Sequence, residues 1–149
     1  MAKPITTSDI AELVAQVGEA ADAIMAGDID RYLAIIHHAA DYTLMAPAGG
    51  PARRGFDDSP ESRKAMAEMF QSGSAELELV ETYASGDLVV IVAVERQQGV
   101  VGDLPEQDWS LRVTLVFRRT DSGWELAHRH ADPLVHPITA EQLSALAGG

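Results

Sequence analysis

Between residues 10 and 25 the apolar positions Ile10, Leu13, Val14, Val17, Ala21, Ile24 and Met25 recur at steps of three and four. That spacing is the stripe of one amphipathic helix, and Gly27 stands where a helix-ending glycine belongs. Asp9 and Glu12 have capping-box spacing, with Thr7 and Ser8 as further N-cap candidates. Asp28 can cap a shorter second helix whose apolar side holds Ile29, Tyr32, Leu33 and Ile36. "SPES" puts Ser59 at an N-cap and Pro60 at the first position of a third helix. Met66, Met69 and Phe70 form its inward stripe, and Gly73 is expected to close it.

After Gly73 the period changes from 3.6 to 2. "AELELVETYA" alternates, and so does "DWSLRVTLVFRR", with Trp109, Leu111, Val113, Leu115 and Phe117 on one face. "GDLVVIVAVERQ" is nearly continuous apolar, which predicts a strand covered on both faces. "TDSG" is a hairpin turn signal, "WELAHRHAD" is the last strand, and "DYTLMAP" is a short strand between the second and third helices. The order α-α-β-α-β-β-β-β reads as an α+β fold, with helices packed on one face of a curved sheet.

The 149 residues suffice for one core, and no repeat or composition shift marks a boundary, so a single domain over 1–149 is expected. A net charge of −12 argues against nucleic-acid partners and anionic membranes. No apolar run approaches the length of a membrane span, and the N-terminus lacks a signal-peptide core. The absence of cysteine rules out disulfides, thiolate metal sites and a cysteine nucleophile. A cytoplasmic location is the expectation.

The element order, together with "AGDID", "DYTLMAPAGG", "LRVTLVFRR" and "GWELAHRHADP", resembles the NTF2-like superfamily. More narrowly it resembles the SnoaL-like or DUF4440 group related to ketosteroid isomerase, over roughly residues 8 to 135. The resemblance implies a cone: three N-terminal helices on a curved, mostly antiparallel sheet enclosing a pocket, commonly as a homodimer. It does not imply one reaction, since the superfamily holds isomerases, dehydratases, cyclases, epoxide hydrolases and non-enzymatic domains.

The family's catalytic positions depart here. The aspartate base of ketosteroid isomerase precedes a proline, where this chain has Ala46 before Pro47. Its oxyanion-binding aspartate aligns near Thr114 and its tyrosine near Ala20. Alanine takes no proton, and threonine donates less strongly than a protonated carboxyl group, so steroid isomerase chemistry in its known form is rejected. The arginine–aspartate strand pair of limonene epoxide hydrolases is matched only by Arg112, with Thr114 in place of the acid. Other members use a His–Asp pair; His37, His38 and Asp41 are near the first strand, with nothing in the sequence to bring them together.

In the last strand, strict alternation puts Trp124, Leu126, His128, His130 and Asp132 on one face and Glu125, Ala127, Arg129 and Ala131 on the other. The resemblance turns the second face into the cone, with Arg129 beside Arg112 and Thr114; one bulge would exchange the faces. The expected pocket is therefore Tyr42, Leu44, Arg112, Thr114 and Arg129, with Glu95 and His130 as acid–base candidates. Two arginines would favour an anionic or carbonyl-bearing ligand. The alternative is that they pair with Glu95, Glu125 or Asp132 and hold the sheet together. His128 and His130 are expected on the outer face at a dimer contact, and a metal site there is the weaker reading. The expectation is a small-molecule-binding protein that needs no cofactor, either a cofactor-free isomerase, cyclase or lyase acting on a partly apolar carbonyl compound, or a non-catalytic ligand-sensing or scaffold homodimer.

Overall fold

A computed structural model describes residues 3–149. Helix α1 (Thr7–Met25) starts one residue earlier than the Ser/Thr candidates suggested. Thr6 is the cap: its Oγ1 accepts from the Asp9 N–H at 3.0 Å, and Asp9 Oδ2 accepts from the Thr6 N–H at 2.9 Å. The capping box thus closes on Asp9, not on Glu12. Gly27 ends the helix with φ +77°, and a Cβ there would meet the Phe70 carbonyl oxygen at 2.3 Å. Only glycine fits that approach. Asp28 then caps α2 (Ile29–Ile35), accepting from the Arg31 N–H at 3.2 Å.

Helix α3 (Pro60–Met69) is capped by Ser59 as the sequence indicated, but it stops at Met69. Strand β3 (Phe70–Ser85) begins at once, so Gly73 belongs to a strand and closes no helix. Its role is close approach: Gly73 pairs with Gly99 of β4 (Leu88–Val101), and a Cβ on Gly73 would lie 2.4 Å from the Gln98 carbonyl oxygen. The remaining strands are β1 (His38–Met45), the two-residue β2 (Arg53–Arg54) and β5 (Gln107–Asp108), β6 (Leu111–Thr120) and β7 (Gly123–Asp132). A fourth helix, α4 (Ala140–Ala147), follows; neither it nor the two short strands was anticipated.

The seven strands form one sheet in the order β2-β1-β7-β6-β4-β3, with β5 on the side of β4. All neighbours are antiparallel except β1 and β7, which run parallel. The architecture is α+β, with a curved, unclosed sheet and α1 packed across β3 and β4. Asp22 fixes that helix, its Oδ1 accepting from the Ala75 N–H of β3 at 2.9 Å.

On β4 and β6 the odd-numbered side chains point inward: Val89, Ile91, Ala93 and Glu95 face Val113, Leu115 and Phe117 under α1, and all are buried. The even-numbered Val90, Val92 and Val94 are only half-buried, so the apolar run of β4 is not covered on both faces within this chain. Strand β7 keeps one parity only as far as Leu126. Phe117 pairs with Leu126 and Val116 with His128, so Ala127 is an extra residue in the ladder. This bulge puts Trp124 and Leu126 on the same inner face as Arg129 and Ala131.

Candidate ligand-binding site

The space between α1 and the sheet is not filled. A cavity of about 410 Å³ opens there. Its α1 wall is Val17, Ala20, Ala21 and Ile24; the two alanines leave the gap that larger side chains would close. Leu115, Phe117 and Leu126 form the sheet side, and Phe56, Met66 and Met69 come from the segment after β1.

Few polar groups reach this space. Glu95 and Arg129 form a two-pronged ion pair, with Arg129 Nη2 donating to Oε1 at 2.7 Å and Nη1 to Oε2 at 3.1 Å. Gln97 Nε2 also donates to Glu95 Oε1, at 3.3 Å. The Glu95 side chain is 4% exposed and that of Arg129 22%. Burial works against the Arg129 charge, but Glu95 outweighs it and holds the guanidinium more firmly protonated than usual.

Two tyrosines line the same cavity. Tyr32 Oη lies 3.2 Å from His38 Nε2. The Tyr42 side chain is buried, and no hydrogen bond among the described residues involves its hydroxyl. Burial raises the pKa of both phenols, against the opposing pull of Arg129, so both remain protonated donors at neutral pH. His38 stacks on Phe56 (centroids 3.7 Å apart, planes 1° apart) and meets the Tyr42 ring edge-on at 4.7 Å. Burial first, and the neighbouring His37 second, push its pKa down from 6.5 to about 4, so the imidazole is neutral at pH 7. Phe56 and Ile36 line both this cavity and an outer hollow of about 450 Å³ beside α2, where His38 also lies.

Tyr42, Leu44, Glu95 and Arg129 are thus gathered at one cavity. Arg112, Thr114 and His130 are not; they line a shallow depression of about 330 Å³ on the opposite face of the sheet. The expectation that Arg112 and Thr114 join Arg129 in the cone is corrected by register. Arg129 pairs with Leu115, whereas Thr114 pairs with His130 and Arg112 with Asp132, and alternate residues point to opposite faces. Arg112 is 54% exposed and donates to both oxygens of Asp132 at 2.8 and 3.0 Å, which holds that carboxyl below the usual range. His128, also on the outer face, is tied to Thr43 Oγ1 at 2.8 Å through Nδ1. Asp41 does not meet His37 or His38; Arg118 holds both its oxygens. The described residues contain no group of three side chains placed to share a metal ion.

Sequence reasoning missed Tyr32, Gln97 and Phe56 as cavity residues. Gln97 was readable, since it continues the inward odd-numbered series of β4. Tyr32 was hidden in the apolar stripe of its helix, and Phe56 sits in an irregular segment that carries no periodicity.

A family model described as SnoaL-like domain matches residues 13–135. Solved structures with the same fold include an NTF2-like protein of unknown function from Pseudomonas putida KT2440. It is 21% identical, with 93% of this chain and 94% of that chain covered and a TM-score of 0.66. A candidate dehydratase of the NTF2-like family from Streptomyces avermitilis is 20% identical, with 87% and 96% covered and a TM-score of 0.61. The S. rosetta CaMKII hub is also 20% identical, with 89% and 98% covered and a TM-score of 0.60. A search of curated protein sequences finds no match to the chain.

Proposed function

The chain belongs to the SnoaL-like domain family, and from that fold and its open cavity we propose that it binds a small, largely apolar molecule bearing a carbonyl group. The observation that carries this reading is the Tyr42 hydroxyl, without a protein partner among the described residues, in a largely apolar hollow of about 410 Å³. No fully buried side-chain nitrogen or oxygen among the described residues lacks a partner, so this hydroxyl opens onto the cavity, where it offers a donor to a carbonyl oxygen on the ligand. Tyr42 then both orients the ligand and polarises the carbonyl, the step shared by cofactor-free isomerases, cyclases and lyases.

The second reading, a non-catalytic ligand-sensing or scaffold domain, is favoured by one feature. Glu95, the acid–base candidate inside the cone, has both oxygens taken by Arg129, so no carboxylate there is free to accept a proton. His130, the other candidate, lies on the opposite face. That outer face also carries Val80 and Val92 beside Arg112 and His130, and we assign it to a homodimer contact, tested by light scattering on the purified chain.

Binding is tested with the neutral dye N-phenyl-1-naphthylamine, whose emission rises in apolar surroundings. One dye per chain is expected to bind, and Ala20→Phe or Leu44→Trp, checked for fold by circular dichroism, is expected to abolish it. Absence of binding to the folded wild type, or binding unchanged in both folded variants, overturns the reading. Proton–deuterium exchange at the α-carbon of a bound ketone separates catalyst from binder.

A further inference from the structure

The chain has 23 carboxylate side chains against 11 lysines and arginines, so its cations ordinarily find partners. Every arginine outside β2 has a guanidinium nitrogen within 3.7 Å of a carboxylate oxygen. Arg53 and Arg54, which make up β2, have no such partner among the described residues and are both exposed. They are adjacent, and they stand between Ala48 and Phe56, which line the cavity.

Register separates the two. Arg53 pairs with Leu44 and Arg54 with Thr43 in the antiparallel β1–β2 ladder, and residues directly opposite share a face. Leu44 lines the cavity, whereas Thr43 bonds His128 on the outer face. Arg53 is therefore on the cavity side and Arg54 on the outer side. Leu44 in turn pairs with Arg129 of β7. Arg53, Leu44 and Arg129 thus form one row across three strands, with Arg53 about 10 Å from Arg129 at two strand spacings. The inner arginine is neutralised by Glu95, and the outer one is not. Gly55, with φ +77°, turns the chain back so that its N–H donates to the Tyr42 carbonyl oxygen at 2.7 Å, which anchors β2 beside the rim.

Charged residues on an edge strand also block pairing with other sheets, but either sign of charge does that, and acidic residues predominate here. We infer that Arg53 is a rim site for an anionic group, so that the ligand of the cone is an amphipathic anion: apolar body inside, carboxylate, sulfonate or phosphate at the mouth. This rests on the cone being a ligand site and adds the charge class of what it takes. Arginine suits the role because its fixed fork of donors matches planar and tetrahedral oxyanions. The unpaired cation also offsets, at the mouth alone, the field of an acidic chain that otherwise repels such a ligand.

Two dyes with the same aromatic body test it: 8-anilinonaphthalene-1-sulfonate, which carries the anion, and N-phenyl-1-naphthylamine, which does not. Wild type, Arg53→Gln and Arg54→Gln are titrated with each at fixed ionic strength, with Ala20→Phe as the check that the cone is the site. Arg53→Gln is expected to weaken the sulfonate dye about three- to ten-fold and to leave the neutral dye unchanged. Arg54→Gln removes the same net charge from the other face and is expected to change both by less than about two-fold. Equal sulfonate affinity in wild type and Arg53→Gln overturns the inference, as does equal weakening by both variants, which is a field effect only. If neither dye binds the folded wild type, the ligand-binding reading beneath it falls as well.

Discussion

The Glu95–Arg129 pair offers the sharpest test of how the interior is held. Glu95→Gln keeps the shape of the side chain and its contact with Gln97 but removes the counter-charge of a guanidinium facing an apolar cavity. Charges about 4 Å apart at an effective dielectric of about 20 attract by roughly 4 kcal/mol. Breaking a buried pair from one side typically costs about 3–5 kcal/mol. Arg129 keeps 22% of its side-chain surface open, so partial hydration returns some of that, and the expected loss is about 2–3 kcal/mol. In a chain of this length that lowers the melting temperature by about 5–10 °C. Urea unfolding of Glu95→Gln, Arg129→Met and the double variant measures it. The double variant is expected to recover most of the loss, because it buries no charge, giving a coupling of about 2 kcal/mol. If Glu95→Gln costs less than about 0.5 kcal/mol with no coupling to Arg129, the cavity is wet enough to solvate a free guanidinium, and the apolar site inferred above is wrong.

Three further outcomes follow from the same geometry. His38 has a folded pKa of about 4 against 6.5 in the open chain, so its contribution to stability is complete above pH 6.5 and is lost as pH falls through about 4; a ring-proton NMR titration should show it neutral throughout pH 5.5–7.5, and in Phe56→Ala, which removes the stacked cover, its pKa should move back toward 6.5. Gly73→Ala puts a methyl group against the Gln98 carbonyl oxygen and the Gly99 Cα, backbone atoms that cannot swing away, and should destabilise by about 2 kcal/mol or more in urea melts; an unchanged midpoint would mean that the β3–β4 ladder yields there. Leu143 and Leu146 of α4 are exposed, so truncation before Thr139 should leave the melting temperature within about 2 °C of wild type.

Much of the fold was legible because it is carried by periodicity. The stripe from Ile10 to Met25, the Ser59–Pro60 start of α3 and the alternation of β6 each follow from side chains that must face the core. What failed was short or depended on a partner. β2 and β5 have two residues each, too few for any period, and exist only as pairs for β1 and β4. Phe70 looked like a helix residue because it continues a spacing of three and four. The strand wins there because Gly73 and Gly99 let β3 and β4 approach closely at that end of the hairpin, so that Phe70 pairs with Val101. Arg112 and Thr114 were assigned to the cone by the resemblance, while the alternation of their own strand already turned them outward.

The bulge at Ala127 shows why the site was harder to read than the fold. Without it, Arg129 would share a face with Ala127 and Glu125, and Leu126 would be carried to the outer side with His128. With it, β7 delivers Trp124 and Leu126 to the core at one end and Arg129 to the cavity at the other. A bulge is one unpaired residue and leaves no mark in hydrophobic alternation, because Ala127 is tolerated on either face. Its consequence is chemical. It allows a strand whose first half is core to put a cation opposite Leu115 and within 2.7 Å of Glu95. That ion pair occupies the cone's interior carboxylate, leaving, among the described residues, the Tyr42 hydroxyl without a protein partner in the cavity and Arg53 without a carboxylate partner on the cavity side. On the reading proposed above, such a cone suits holding a carbonyl-bearing anion better than taking a proton from one.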